Sequence, residues 1–174
     1  MEADLRARPF KAADAAAVAG IYSDGIAERS ATFETEPRTA AVIEARFSSS
    51  RHPAIVVEAS DGRIVAAAWT SEYRSRHAYD GVAEFSVYVA RQARGQGVGR
   101  LALLSLIDAA EKRGFYKLVS RVFPDNTASR RLCASVGFRE VGVYRRHGQL
   151  DGRWRDCVIV ERLMGQALID PGEG

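Results

Sequence analysis

Apolar and polar positions alternate along residues 84–89. Phe85, Val87 and Val89 fall on one side and Glu84, Ser86 and Tyr88 on the other, with β-branched and aromatic types dominant. That period of two predicts a strand with two different faces. From Leu101 the spacing changes: Leu101, Leu104, Ile107 and Asp108, widened by Leu103, Leu106 and Ala110, fit the 3.6-residue period of a helix laid on a sheet. Gly114 supplies its stop.

The same reading extends along the chain. Residues 5–10 can form a first strand, and an alanine-rich helix begins at Ala13 and Asp14, with Val18, Ile21 and Tyr22 on one face and Gly25 loosening its end. A loop through residues 31–37 leads to a second helix over 39–47, which the polar stretch 48–53 breaks. Strands over 54–59 and 63–69 flank a glycine-containing turn, and residues 71–81 read as polar loop. After the central helix, 116–122 predicts an apolar strand and 124–129 a turn opening a short helix that Gly137 closes. Segments 138–144 and 154–162 predict two final strands around a polar hairpin through 150–152, and 165–174 reads as a loose tail.

Mixed strands and helices with two hairpins predict an α/β fold with a mixed central sheet. A chain of 174 residues suits one domain, here residues 1–164. A composition of 47% hydrophobic and 27% charged residues is that of a soluble globular protein. The net charge of +3 is too weak to argue for nucleic acid, and local arginines holding an anionic ligand explain it as well. No apolar run approaches the roughly 20 residues that span a bilayer. The start, Met1-Glu2-Ala3-Asp4, is not a secretory signal, so a cytoplasmic location is expected. There Cys133 and Cys157, which lack metal-like spacing, would be reduced.

Between the alternating strand and the helix lie Gly95, Gly97 and Gly99 in alternate positions, flanked by Arg91, Arg94 and Arg100. Residues without a Cβ let the backbone approach a ligand, and a helix N-terminus offers unpaired N–H groups and partial positive charge. The segment therefore reads as a pyrophosphate cradle, although an ordinary tight turn explains the glycines alone about equally well. A dinucleotide fingerprint needs glycine where Arg100 stands, and a P-loop needs Gly-Lys followed by Ser or Thr, so both fit poorly.

The pattern Arg94-x-x-Gly97-x-Gly99 directly after an alternating strand resembles the coenzyme A motif of the GNAT superfamily of N-acetyltransferases. The order strand, two helices, three strands, helix, strand, helix, two strands matches that fold over nearly the whole chain. Segments 31–37, 73–74, 84–89, 94–99, 126–129, 137–138 and 152–156 resemble the branch containing phosphinothricin and methionine sulfoximine acetyltransferases, and within it the arsinothricin acetyltransferases.

The resemblance implies acetyl-CoA as co-substrate, no metal, and a homodimer to which the hairpin around residues 152–156 contributes. Val87, Tyr88 and Val89 would meet the pantetheine arm and acetyl group. Arg94, Gly95, Gln96, Gly97, Val98, Gly99 and Arg100 would hold the pyrophosphate, and Asn126, whose spacing suits a helix N-cap equally well, would contact the coenzyme arm. Arg74, Ser75 and Arg76 would receive an anionic phosphinate, arsinate or carboxylate. Thr32 and Phe33 would wall the acceptor pocket, with Glu84, Phe85 and Ser86 lining the meeting point of acceptor and thioester.

An α-ammonium must lose a proton before it attacks a thioester, and Glu84 is the candidate base, through water, its alternative role being a structural carboxylate that holds the neighbouring arginine loop. A backbone N–H near Val87 would stabilise the oxyanion. Where relatives carry a tyrosine or histidine to protonate the leaving thiolate, this chain has Cys133, which leaves the general acid open. The implied reaction is acetylation of the α-amine of a small amino-acid analogue, arsinothricin or phosphinothricin. The alternatives are acetylation of a protein amine and a coenzyme-binding regulatory module without turnover.

Overall fold

The computed structural model describes residues 4–169. Its elements are β1 (Arg6–Pro9), α1 (Ala15–Ala27), α2 (Ala40–Arg46), β2 (Ala54–Glu58), β3 (Ile64–Glu72), β4 (Val82–Val89), α3 (Val98–Lys112), β5 (Lys117–Val122), α4 (Thr127–Ser135), β6 (Arg139–Leu150) and β7 (Arg153–Leu163). The seven strands form one sheet in the order β1-β2-β3-β4-β5-β7-β6. Only β4 and β5 run parallel; the other neighbours are antiparallel. The element order expected from the sequence is the one observed.

Alternation along the strands sorts two cores onto the two faces of the sheet. Ile55, Val57, Ala66, Ala68 and Phe85 pack with Leu103, Leu106 and Ile107 of α3 on one face. Val56, Ala67 and Trp69 pack with Val18, Ala19, Tyr22 and Ile43 of α1 and α2 on the other. Covering both faces explains why β2 and β3 read as continuous apolar runs. Full burial of a side chain such as Val56 or Leu103 stabilises the fold by about 1.5–3 kcal/mol before entropy is counted.

Several local expectations change. Gly25 does not loosen the end of α1: it is buried within the helix, and a Cβ there would lie 2.6 Å from the Tyr88 ring. A smaller residue at that point lets helix and strand approach. The buried stripe of α3 is Val98, Ala102, Leu103, Leu106, Ile107 and Ala110, while Asp108 is exposed and Leu101 and Leu104 sit at the margin. The helix begins three residues earlier than Leu101, so its phase is set from Val98. Strand β3 runs on through Ser71 and Glu72, shortening the expected loop, which then holds a 3-10 turn over His77–Tyr79.

The last two strands extend to a tight hairpin at Asp151 and Gly152, both with positive φ as a type I′ turn requires. Strand β6 carries an irregularity between Tyr144 and Gly148. Of the expected tail, Gly165–Leu168 forms a 3-10 turn, and residues 170–174 lie outside the described residues.

Candidate active site

Strands β4 and β5 pair only over Val82–Lys117, Ala83–Leu118 and Glu84–Val119, then part. At the point of parting the Ser120 hydroxyl donates to the Phe85 carbonyl at 3.0 Å. Strand β4 remains paired to β3 as far as Val89. The Ala90 N–H bonds to Val65 on the β3 side, so strand alternation turns the main-chain groups of Val87 and Val89 toward the gap. Beyond the fork β4 therefore presents a backbone edge that no neighbouring strand covers.

A cleft of about 410 Å³ opens along this edge. Its walls include Thr32, Phe33, Glu84, Phe85, Ser86, Val87, Tyr88 and Asn126, eight of the positions expected from the sequence, together with Cys133. Tyr22, Trp69, Ser120 and Arg121 also line it and were not anticipated. Tyr88 points to the α1 side, its ring 4.7 Å from Tyr22 and 5.5 Å from Trp69. Burial pushes its phenol well above the ordinary tyrosine range, so the hydroxyl stays protonated.

At one end of the edge the chain makes a 3-10 turn over Arg91–Ala93 and enters α3 through Gly97, whose φ of 77° is left-handed. Nothing lies within 4 Å of the place a Gly97 Cβ would occupy, so the requirement for glycine there is conformational. The first intrahelical bond is Leu101 N–H to Gly97 carbonyl, which leaves the N–H groups of Val98, Gly99 and Arg100 free at the helix mouth. Gly95, Gln96 and Arg100 are exposed around it. This cradle of open N–H groups with three neighbouring arginines fits a diphosphate.

Two of those arginines are held by a residue the sequence did not flag. Glu28, at the end of α1, accepts from Arg94 Nη1 at 3.0 Å and Nη2 at 3.1 Å and from Arg91 Nε at 2.7 Å. The Arg94 and Arg91 guanidinium groups hold the Glu28 carboxyl below its usual range. Arg94 Nε also reaches the Val89 carbonyl at 3.2 Å, closing the turn onto the strand.

At the other end of the edge, Glu84 Oε1 accepts from Arg121 Nη2 at 2.5 Å. Phe33 packs edge-on against Phe123, with ring centroids 5.1 Å apart, and Arg155 lies 4.2 Å above the Phe123 ring. Gly148 of β6 gives Phe33 its place, since a Cβ there would sit 2.8 Å from the ring. Asn126 performs the capping role that its spacing suits: its side chain accepts from the Ser129 N–H at 3.2 Å and donates to the Ser30 carbonyl at 3.2 Å. It thereby ties α4 to the loop that carries Thr32 and Phe33.

Cys133 is buried, and desolvation pushes its thiol up to about 11. Passing a proton to a thiolate of ordinary thiol basicity, about 8.5, would then run uphill. Arg74, Ser75 and Arg76 do not line the cleft. They surround a separate concavity with Tyr79, in the loop that follows Glu72, at the end of the sheet where Glu84 lies. Among the described residues no group of three or more His, Cys, Asp or Glu side chains is placed to hold a metal ion. No helix among them is long and apolar enough to cross a membrane.

The model of the acetyltransferase (GNAT) family matches residues 19–138. A phosphinothricin N-acetyltransferase from Alcaligenes faecalis is 37% identical over 153 residues, covering 86% of this chain and 77% of that protein. An L-methionine sulfoximine/L-methionine sulfone acetyltransferase from Salmonella typhimurium is 32% identical, covering 86% and 88%. Among solved structures, a phosphinothricin acetyltransferase from Sinorhizobium meliloti in complex with acetyl-CoA superposes with a TM-score of 0.88 at 30% identity, covering all of this chain and 95% of the other.

Proposed function

Because the chain belongs to the acetyltransferase (GNAT) family, we propose that it moves the acetyl group of acetyl-CoA to the α-amine of a small amino-acid analogue with an anionic side-chain group. Arsinothricin and phosphinothricin head the acceptors, and detoxification of either would confer resistance. The observation that carries this reading is the β4 edge left uncovered beyond the fork, with Glu84 in the cleft beside it and the glycine turn that opens α3 following its other end.

Acetyl-CoA supplies an activated carbonyl. In this reading Gly95 to Arg100 hold the diphosphate, and the open main-chain groups of Val87 and Val89 meet the arm and thioester. Glu84 receives the proton of the α-ammonium, and a Val87 N–H aimed into the gap stabilises charge on the carbonyl oxygen. Holding amine and carbonyl side by side provides much of the acceleration without a protein nucleophile. Water, rather than the Cys133 thiol, is the proton source for the departing thiolate.

Thr32 and Phe33 wall the acceptor. Arg74, with Ser75 and Arg76, receives the distal anionic group from the loop beside Glu84; an approach of that loop toward the cleft is part of this proposal. A homodimer belongs to the same reading. It is supported by Val141, Val143, Tyr144 and Trp154, all about half exposed on the outer hairpin. Sedimentation of the purified chain tests it, and a monomer at micromolar concentration removes it. A cytoplasmic setting, where the donor is available, completes the proposal.

The deciding experiment measures coenzyme release from acetyl-CoA with arsinothricin, phosphinothricin, methionine sulfoximine, ordinary amino acids and a lysine peptide. Turnover with the first two, and a raised KM for them in Arg74→Ala, is expected. Binding of acetyl-CoA without turnover on any of the panel would instead favour a regulatory module.

A further inference from the structure

Arg121 lines the cleft from β5, two positions before the strand's exit into Phe123. Its Nη2 donates to Glu84 Oε1 at 2.5 Å, and its Nη1 lies 3.4 Å from Nε2 of His147. It follows Val119, the last β5 residue paired to β4, by two positions, so its side chain leaves the strand just beyond the fork. The other cation lining the cleft, Arg46, belongs to α2 and lies over the Tyr22 ring at 5.9 Å. The cleft thus has a carboxylate and a guanidinium in contact at the place where acceptor and thioester meet.

We infer that Arg121 binds the α-carboxylate of the acceptor, so that the Glu84–Arg121 pair recognises an amino-acid zwitterion as a unit. The assignment rests on the acetyltransferase reading above. An α-amino acid carries its ammonium and carboxylate on the same carbon, so an amine brought to Glu84 brings the carboxylate to the immediate neighbour of Glu84. The two charges of the ligand complement the two charges of the pair: ammonium faces carboxylate and carboxylate faces guanidinium. A guanidinium has five N–H donors in a planar fork; one is engaged by Glu84 and another faces His147, and the remaining three include neighbours that match a carboxylate bidentately. His147 braces the outer side of the group.

A lysine side chain or a simple alkylamine has no carboxylate on the carbon that bears its nitrogen. Such an amine would offer no carboxylate to the donors that Glu84 and His147 leave open. Arg121 therefore selects α-amino acids over other amines, whereas the distal anionic group is read elsewhere.

The test compares L-phosphinothricin with 3-aminopropyl(methyl)phosphinate, which lacks only the α-carboxylate, in the wild type and in Arg121→Gln. Wild-type turnover of L-phosphinothricin comes first; absence of turnover with every amino acid of the panel sinks the functional reading and this assignment with it. Given turnover, the ratio of kcat/KM for the amino acid to that for the decarboxylated amine is expected to fall about tenfold or more in Arg121→Gln, chiefly through KM for the amino acid. A disturbance of Glu84 alone scales both acceptors together and leaves the ratio unchanged, and that result overturns the role of Arg121. Coenzyme affinity, measured by calorimetry, reports whether the variant is folded. If it is not, Arg121→Lys, which keeps the charge and loses the fork, must show the same fall in the ratio to a smaller degree; an unchanged ratio there also overturns the assignment.

Discussion

Ser120 Oγ donates to the Phe85 carbonyl at 3.0 Å, across the point where β4 and β5 stop pairing. The hydroxyl supplies the hydrogen bond that the next rung of the sheet would have made, and so ends the ladder without leaving Phe85 unsatisfied. Replacement Ser120→Ala removes it. We expect a loss of about 1 kcal/mol in urea unfolding and a several-fold rise in KM for acetyl-CoA, with Ser120→Thr close to the wild type in both. Unchanged kinetics in Ser120→Ala would mean that the sheet alone holds the fork open.

Glu84→Gln keeps the shape of the side chain and an acceptor for Arg121 while removing the carboxylate proposed as base. Turnover is expected to fall about 100-fold or more. Affinity for coenzyme A, measured separately by calorimetry, should stay near the wild-type value because the cradle lies at the far end of the β4 edge. Equal losses in both quantities would make Glu84 an anchor for Arg121 rather than a participant in proton transfer.

Cys133→Ala tests the identity of the proton donor. With its thiol raised to about 11 by burial, Cys133 is neutral throughout any ordinary assay range and is a poor donor to a thiolate. The variant is expected to keep kcat within about threefold of the wild type, with an unaltered alkaline limb in the pH–rate profile. A drop of two orders of magnitude would restore Cys133 to the chemistry.

Two glycines of α1 make opposite predictions. Gly20 is exposed and has nothing within 4 Å of the place its Cβ would take, so Gly20→Ala should stabilise the protein by about 0.5–1 kcal/mol through helix propensity. Gly25→Ala places a methyl 2.6 Å from the Tyr88 ring and should destabilise by about 1–3 kcal/mol. It should also disturb coenzyme binding, because Tyr88 lies on the same strand as the open edge. Thermal melts of the two variants, compared with the wild type, decide both.

Sequence reasoning reached the cradle and the central strand because both are local: a period of two, alternate glycines and a period of 3.6 follow one another within thirty-odd residues. It placed Glu84, Phe33 and Asn126 near the cleft through resemblance, and the cap geometry of Asn126 through spacing. It missed what depends on distant pairing. Glu28 meets Arg94 across 66 residues, and Arg121 meets Glu84 across 37, and nothing in either neighbourhood announces the partner. Lys117 and Ser120 also interrupt the apolar positions of β5, so charge within that strand did not single out Arg121. The phase of α3 was misjudged because leucines occupy both its centre and its margin, so hydrophobicity alone could not fix where the helix begins.

The seating of Phe33 on Gly148 makes β6, an edge strand of the sheet, a lever on the wall of the cleft. The ring has β6 directly behind it and Phe123 at its side, so it cannot yield outward without carrying the hairpin along. Any pressure applied to that hairpin, even from its solvent side, is delivered to the cleft through Phe33, though no residue of β4 has been touched.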